Sequence, residues 1–97
     1  MSKSVLITGA TGALGRAAAL EIAKSGAKIT LLGRNKSKLE SVKNDISKET
    51  GNNDIEIIVA DLSDISSIKS AAREFKQNHD HLDVLVNIAA VYRALFK

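Results

Sequence analysis

Eight residues near the amino terminus, Thr8-Gly9-Ala10-Thr11-Gly12-Ala13-Leu14-Gly15, have the spacing that carries the most chemistry in this chain. The apolar run Val5-Leu6-Ile7 precedes them and an alanine-rich helical pattern follows. Glycines at such a strand–loop–helix junction let the backbone turn tightly and approach a pyrophosphate with no Cβ in the way. The first-turn amides of the helix then face the phosphates, aided by the positive end of the helix dipole. A glycine triplet alone occurs in many turns. It becomes informative inside a βαβ unit whose second strand ends on a residue able to read the ribose.

That second strand ends in Leu32-Gly33-Arg34-Asn35. A site for the free 2′-hydroxyl of NAD places Asp or Glu about 20 residues beyond the glycines. Here no carboxylate occurs between Glu21 and Glu40; Gly33 holds the expected position and Arg34 follows it. A guanidinium can fork onto a 2′-phosphate, which a carboxylate would repel. The pair therefore points to NADP, with NAD as the lesser fit. A solvated arginine ahead of a lysine-rich helix is the alternative, and the glycine motif upstream favours the phosphate. Lys36 and Lys38 either add positive potential or form an ordinary solvent face. His79 and His81 flank Asp80 in a turn, and a metal site needs more ligands than a short turn offers. They read as a solvated turn, with no metal.

The elements that must position these residues alternate along the chain. Strands are expected at Ser4–Thr8, Lys28–Leu32, Ile55–Ala60 and Leu82–Asn87, rich enough in Val, Ile and Leu to be covered on both faces. Helices are expected at about Ala13–Ser25, Lys36–Thr50 and Asp64–Gln77. Gly26 ends the first. The second buries Leu39, Val42 and Ile46, with Asn35 as N-cap and Gly51 as its stop. The third carries Ile65, Ile68, Ala72 and Phe75 on its apolar face, with Ser63 as N-cap. Right-handed crossovers then give an α/β, Rossmann-type three-layer fold with a parallel sheet of about four strands in the order 3-2-1-4.

Composition removes other classes. The chain has 97 residues, 44% hydrophobic and 26% charged, which suits one globular domain spanning 1–97. A net charge of +3 with 3% aromatics offers few platforms for nucleic acid, so no nucleic-acid partner is expected. Without cysteine there is no disulfide, thiolate nucleophile or cysteine metal site. No signal-peptide core or membrane run is visible, and the expected location is the cytoplasm.

Taken together, the Thr8–Gly15 loop, Gly33-Arg34-Asn35, Asp61-Leu62 and the run Leu82-Asp83-Val84-Leu85-Val86-Asn87-Ile88-Ala89-Ala90 resemble the short-chain dehydrogenase/reductase family. The match runs in register to about Tyr92 and is similar in particular to retinol-dehydrogenase-like and protochlorophyllide-reductase-like members. The resemblance implies cofactor contacts from Thr8, Gly9, Thr11, Gly12, Ala13, Leu14 and Gly15, with Arg34 and Asn35 beside the adenosine ribose. It also implies adenine contacts from Asp61 and Leu62, and ribose-side contacts from Asn87, Ala89 and Ala90. Asp61 stands just past the third strand, where a carboxylate can accept from the adenine amine or cap the turn into the third helix. Asn87 would either touch cofactor or tie adjacent loops together.

Two departures concern the motifs. Ala13 replaces the middle glycine of the usual Thr-Gly-x-x-x-Gly-x-Gly, and Gly12 falls one place early, as in extended members. The usual Asn-Asn-Ala-Gly reads Asn87-Ile88-Ala89-Ala90. A third departure concerns catalysis, which in the family uses a Ser and a Tyr-x-x-x-Lys, the lysine lowering the tyrosine pKa. Here the single tyrosine, Tyr92, is followed four places later by Phe96, and Lys97 is one place too far. The expectation is an NADP(H)-binding amino-terminal portion of an oxidoreductase, truncated before a fifth strand and inactive alone. The alternative is a nucleotide-binding or purely structural fragment. The fourth strand, interior in the family, would present an apolar edge here and favour self-association.

Overall fold

The computed structural model describes residues 3–9, 11–61, 63–79 and 81–87. Four strands, β1 (Ser4–Thr8), β2 (Lys28–Gly33), β3 (Ile55–Val59) and β4 (Val84–Asn87), form one sheet in the order β3-β2-β1-β4. All pairs are parallel, with Ile7 opposite Leu31 and Val86, and Leu31 opposite Ile57. The helices are α1 (Ala13–Lys24), α2 (Lys36–Thr50) and α3 (Ile65–Asn78). Winding runs one way from β1 to β3 and reverses at α3. A right-handed crossover therefore puts α1 and α2 on one face and α3 on the other.

Local signals account for most boundaries. Asn35 caps α2 by accepting from the Lys38 amide at 3.2 Å. Gly51 ends that helix in the left-handed region at φ 76°, and Gly26 does the same after α1 at φ 83°. Both are positions where a Cβ would be strained. The α3 cap differs from expectation. Asp64 holds it, its Oδ1 accepting from the Ser66 amide at 2.9 Å. Ser63 is not the cap, because its hydroxyl is donated to Asp61 instead. Likewise β4 starts at Val84, not Leu82. The Asp83 amide still donates to the Ser4 carbonyl, and its carboxylate accepts from the Ser4 amide at 2.8 Å.

The strands distribute their side chains by parity. Val5, Ile7, Ile29, Leu31 and Ile55 join Ala19 and Ala23 of α1 and Leu39, Val42 and Ile46 of α2 in the main core. A smaller cluster of Leu32, Ile58, Ala60 and Ala71, with Leu6 and Phe75 against it, lies on the α3 side. The apolar face expected for α3 is corrected here. Ala71 is its buried residue, whereas Ile65 is 71% exposed, Ile68 40% exposed, and Ala72 exposed. The helix touches the sheet through a narrower stripe than its sequence pattern suggests. Ile68, Ala71 and Phe75 instead line one wall of an apolar groove of about 490 Å³, with Leu6, Leu32 and Leu85 opposite.

Candidate functional site

The described loops at the carboxyl edge of the sheet, those after β1, β2 and β3, each bring a chemically marked residue to the same rim. The first is the glycine loop. Gly9 turns the chain at φ 74°, out of reach of most L-residues, and the Gly12 amide donates back to the Gly9 carbonyl at 3.4 Å. Gly12 is the N-cap of α1 and supplies no side-chain cap, and the first turn holds no acidic residue. Among the described residues nothing caps the amides of Ala13, Leu14 and Gly15, which can then donate to an external acceptor. Among the described residues, a Cβ built on Gly12 would meet only the Gly9 carbonyl, at 3.9 Å. That bareness faces open space, so it keeps room for a bound group and is not forced by packing. Gly15 is buried, and Thr11, Ala13 and Leu14 are exposed on the rim.

Thr8 closes the loop from below. Its hydroxyl donates to Asn87 Oδ1 at 3.0 Å, joining the last residues of β1 and β4. Of the two roles open to Asn87, the structure displays the tie between adjacent strand ends. Leu62, Ala89 and Ala90 lie outside the described residues.

The second marked region follows β2. Thr11, Arg34, Asn35, Lys36, Ser37 and Lys38 line one open cleft of about 770 Å³. Among the described residues, three cations and no carboxylate border it. Asn35 Oδ1 is already engaged, accepting from Ser37 Oγ at 2.9 Å and from the Lys38 amide, so Nδ2 is the side-chain atom able to donate into the cleft. A Cβ built on Gly33 would sit 3.4 Å from Leu39 Cδ2, at the near limit of ordinary contact, so packing does not by itself require glycine there.

The third region follows β3. The Ala60 amide donates to the Gly33 carbonyl at 2.8 Å, which extends the β2–β3 ladder and sets Asp61 beside the Arg34 turn. The Ser63 hydroxyl, then the Ser63 amide, hold the Asp61 carboxyl below the usual carboxylate range; burial opposes them in part, and Arg34 adds a smaller lowering. Sequence reasoning missed Ser63 and Ser67, because their value lies in contacts two and six residues back along the chain. It also misplaced His79. That ring is 12% exposed, paired with Glu56 Oε1 and stacked on Phe75 with centroids 4.5 Å apart, while Thr30 Oγ1 donates to the same carboxylate oxygen at 3.1 Å. His79 is thus an anchor between α3 and β3. His81 is the solvated one, 3.1 Å from Asp83.

A sequence profile described as short chain dehydrogenase matches residues 3–96. The chain belongs to the short-chain dehydrogenase family. Its relatives include an uncharacterised oxidoreductase of Schizosaccharomyces pombe, 37% identical over 98% of this chain. Retinol dehydrogenase 11 of Homo sapiens is 39% identical over 92% of it. This short-chain dehydrogenase chain spans 28% of the length of each. Among solved structures, an oxidoreductase of Escherichia coli superposes with a TM-score of 0.79 at 33% identity, over 88% of this chain and 35% of that one. An NADPH-dependent reductase involved in bacilysin biosynthesis superposes at 0.82 with 26% identity, over 88% and 34%. Among the described residues, no helix is long and apolar enough to cross a membrane.

Proposed function

We propose that residues 1–97 are the NADP(H)-binding, amino-terminal portion of a short-chain dehydrogenase, one cytoplasmic dinucleotide-binding unit that does not turn over by itself. The observation that carries this is the pairing, on one rim, of a bare glycine loop and a cation-bordered cleft. The uncapped, glycine-lined start of α1 suits a pyrophosphate. Beside it, the cleft bordered by Arg34, Lys36 and Lys38 suits a second phosphate. Bound, the dinucleotide supplies hydride chemistry, and this chain's residues supply its grip. The amides of Ala13 to Gly15 receive the pyrophosphate, Arg34 the 2′-phosphate, and Asp61 the adenine amine. Leu62, Asn87, Ala89 and Ala90 complete the adenosine side. The lack of a Tyr-x-x-x-Lys in these residues supports inactivity, because in the family that pairing is what lowers the tyrosine pKa.

Calorimetry with both dinucleotides tests the reading. NADP should bind more tightly than NAD, and Arg34→Ala should remove the preference, at a cost of about 1.5–3 kcal/mol for a charge-assisted contact. Gly33→Asp should shift it toward NAD, since a carboxylate there would accept from the 2′-hydroxyl and repel the phosphate. Equal affinities in the unaltered chain would refute the phosphate assignment. Carbonyl reduction that copurifies with the chain, and is lost in Tyr92→Phe, would refute inactivity.

We also propose that the 97-residue chain self-associates through β4. Among the described elements β4 pairs only with β1. Val84 and Leu85 on it are 39% and 58% exposed, Leu85 beside the apolar groove under α3 and Val84 toward the α1 side.

A further inference from the structure

The turn between β3 and α3 holds one carboxylate oxygen twice. Ser63 Oγ donates to Asp61 Oδ1 at 2.7 Å, and the Ser63 amide donates to that same atom at 2.9 Å. Asp61 Oδ2 takes no hydrogen bond among the described residues. The main chain of Asp61 is pinned as well. Its amide donates to Ser67 Oγ at 2.8 Å, and its carbonyl accepts from the Asp64 amide at 3.1 Å. Rotation of the carboxyl group is then the remaining freedom, and two bonds onto one oxygen remove it.

Helix capping does not account for this arrangement. Asp64 already caps α3 through Ser66, and Ser67 already ties the first turn of α3 to Asp61. The Ser63 hydroxyl is exposed, so water would satisfy it at no cost if its only role were to be solvated. Its bond orients the carboxylate.

We propose that Ser63 is a positioning residue for base recognition: by holding Asp61 Oδ1 it presents Oδ2 to the 6-amino group of adenine and sets it against a 6-oxo purine. The proposal rests on the reading of Asp61 as the adenine contact. A carboxylate has no proton to give at neutral pH, so it accepts from an amine and repels a carbonyl oxygen. Discrimination of this kind depends on the direction of the lone pair, and a freely rotating carboxylate would lose part of it.

The test is a titration of the chain with NADP and with nicotinamide hypoxanthine dinucleotide phosphate, which carries oxygen for the amine and, with it, a proton on N1. The unaltered chain should prefer the adenine form by about tenfold or more, the range of a hydrogen bond to a charged group. Asp61→Ala should bring the ratio to about one. Ser63→Ala should lower the ratio about fourfold while the affinity for the hypoxanthine form stays nearly level. Ser63→Thr, which keeps the hydroxyl, should restore it. If Asp61→Ala leaves the ratio unchanged, or neither dinucleotide binds, the adenine reading falls and this proposal with it. If Asp61→Ala erases the ratio but Ser63→Ala does not, the positioning role alone is overturned. Equal weakening of both dinucleotides in Ser63→Ala, or failure of Ser63→Thr to rescue, would mark a merely structural turn and overturn it too.

Discussion

On the face beneath α1 and α2, the strand residues Val5, Ile7, Ile29, Leu31 and Ile55 are each no more than 5% exposed, and every one is apolar. The opposite face alternates Ser4, Leu6 and Thr8 on β1, Thr30 and Leu32 on β2, and Glu56 and Ile58 on β3, with α3 as its described helix. The first face is held by volume: two helices and interlocked aliphatic side chains. The second is held by polar links as much as by packing. Thr30 and His79 meet on Glu56, Asp83 binds the Ser4 amide, and Thr8 binds Asn87. Parity along the same strands thus yields one face whose stability is hydrophobic and one whose stability depends on protonation and exact bond geometry. The candidate rim draws on both, with the glycine loop and Arg34 on the turns into the helices of the first face and Asp61 on the turn into α3.

Deletion of buried volume should separate the faces most. Leu39→Ala removes a fully buried α2 side chain and should cost about 2–5 kcal/mol. Ile68→Ala, on the 40% exposed side of α3, should cost about 1 kcal/mol. Urea unfolding measures both, and equal costs would break the comparison.

A polar clamp also serves the first face, and its removal comes next in size. Asn52 Nδ2 donates to the carbonyls of Ala23 at 3.1 Å and Ala27 at 2.9 Å, tying the end of α1 to the start of β2. Asn52→Ala leaves both carbonyls to find new partners and should cost about 1–3 kcal/mol by the same measurement. A neutral result would mean that water replaces the amide without loss.

Acid should act on the second face. The Ser4 amide bond, then His81 and Lys3, hold the Asp83 carboxyl below its ordinary value, against a smaller effect of burial. A lowered folded pKa contributes stability that is fully present above the unfolded aspartate value of about 4 and is lost as pH falls through the lowered folded value. The advantage of the unaltered chain over Asp83→Asn should therefore be constant near neutrality and shrink below pH of about 4. Urea midpoints for the pair from neutral to strongly acidic pH measure it. A gap that never changes would detach Asp83 from the acid response.

The smallest stability effect is expected where the second face is most open. Leu85→Lys at a 58% exposed site should change unfolding by no more than about 0.5 kcal/mol. It should nonetheless abolish self-association in sedimentation at micromolar concentration. Unchanged association would move the contact away from β4.

Much of this was legible in the residues. The alternation of apolar strands with capped helices, punctuated by Gly26 and Gly51, predicts elements that the structure reproduces to within two residues. The reversal of winding at α3 follows from handedness alone. Where reading failed, the competing partner was not local. Ser63 looks like an N-cap until Asp61 is seen to take its hydroxyl. His79 looks like a loop residue until Glu56 and Phe75 close on it. The stripe Ile65, Ile68, Ala72, Phe75 has helical period, but period gives only a direction around the axis. What covers that direction depends on which neighbour packs there.

The sequence by itself determined the parallel sheet order, the glycine turn before α1 and the replacement of a ribose-reading carboxylate by Gly33-Arg34. Each depends on backbone conformation or charge carried within a few residues. Only the tertiary structure decided which oxygen of Asp61 is held, that Asn52 clamps a helix 29 residues away, and that Thr8 spends its hydroxyl on Asn87 across 79 residues of chain. Hydrogen bonds require partners within about 3 Å along particular lone-pair directions, and chain folding, not residue type, brings them there.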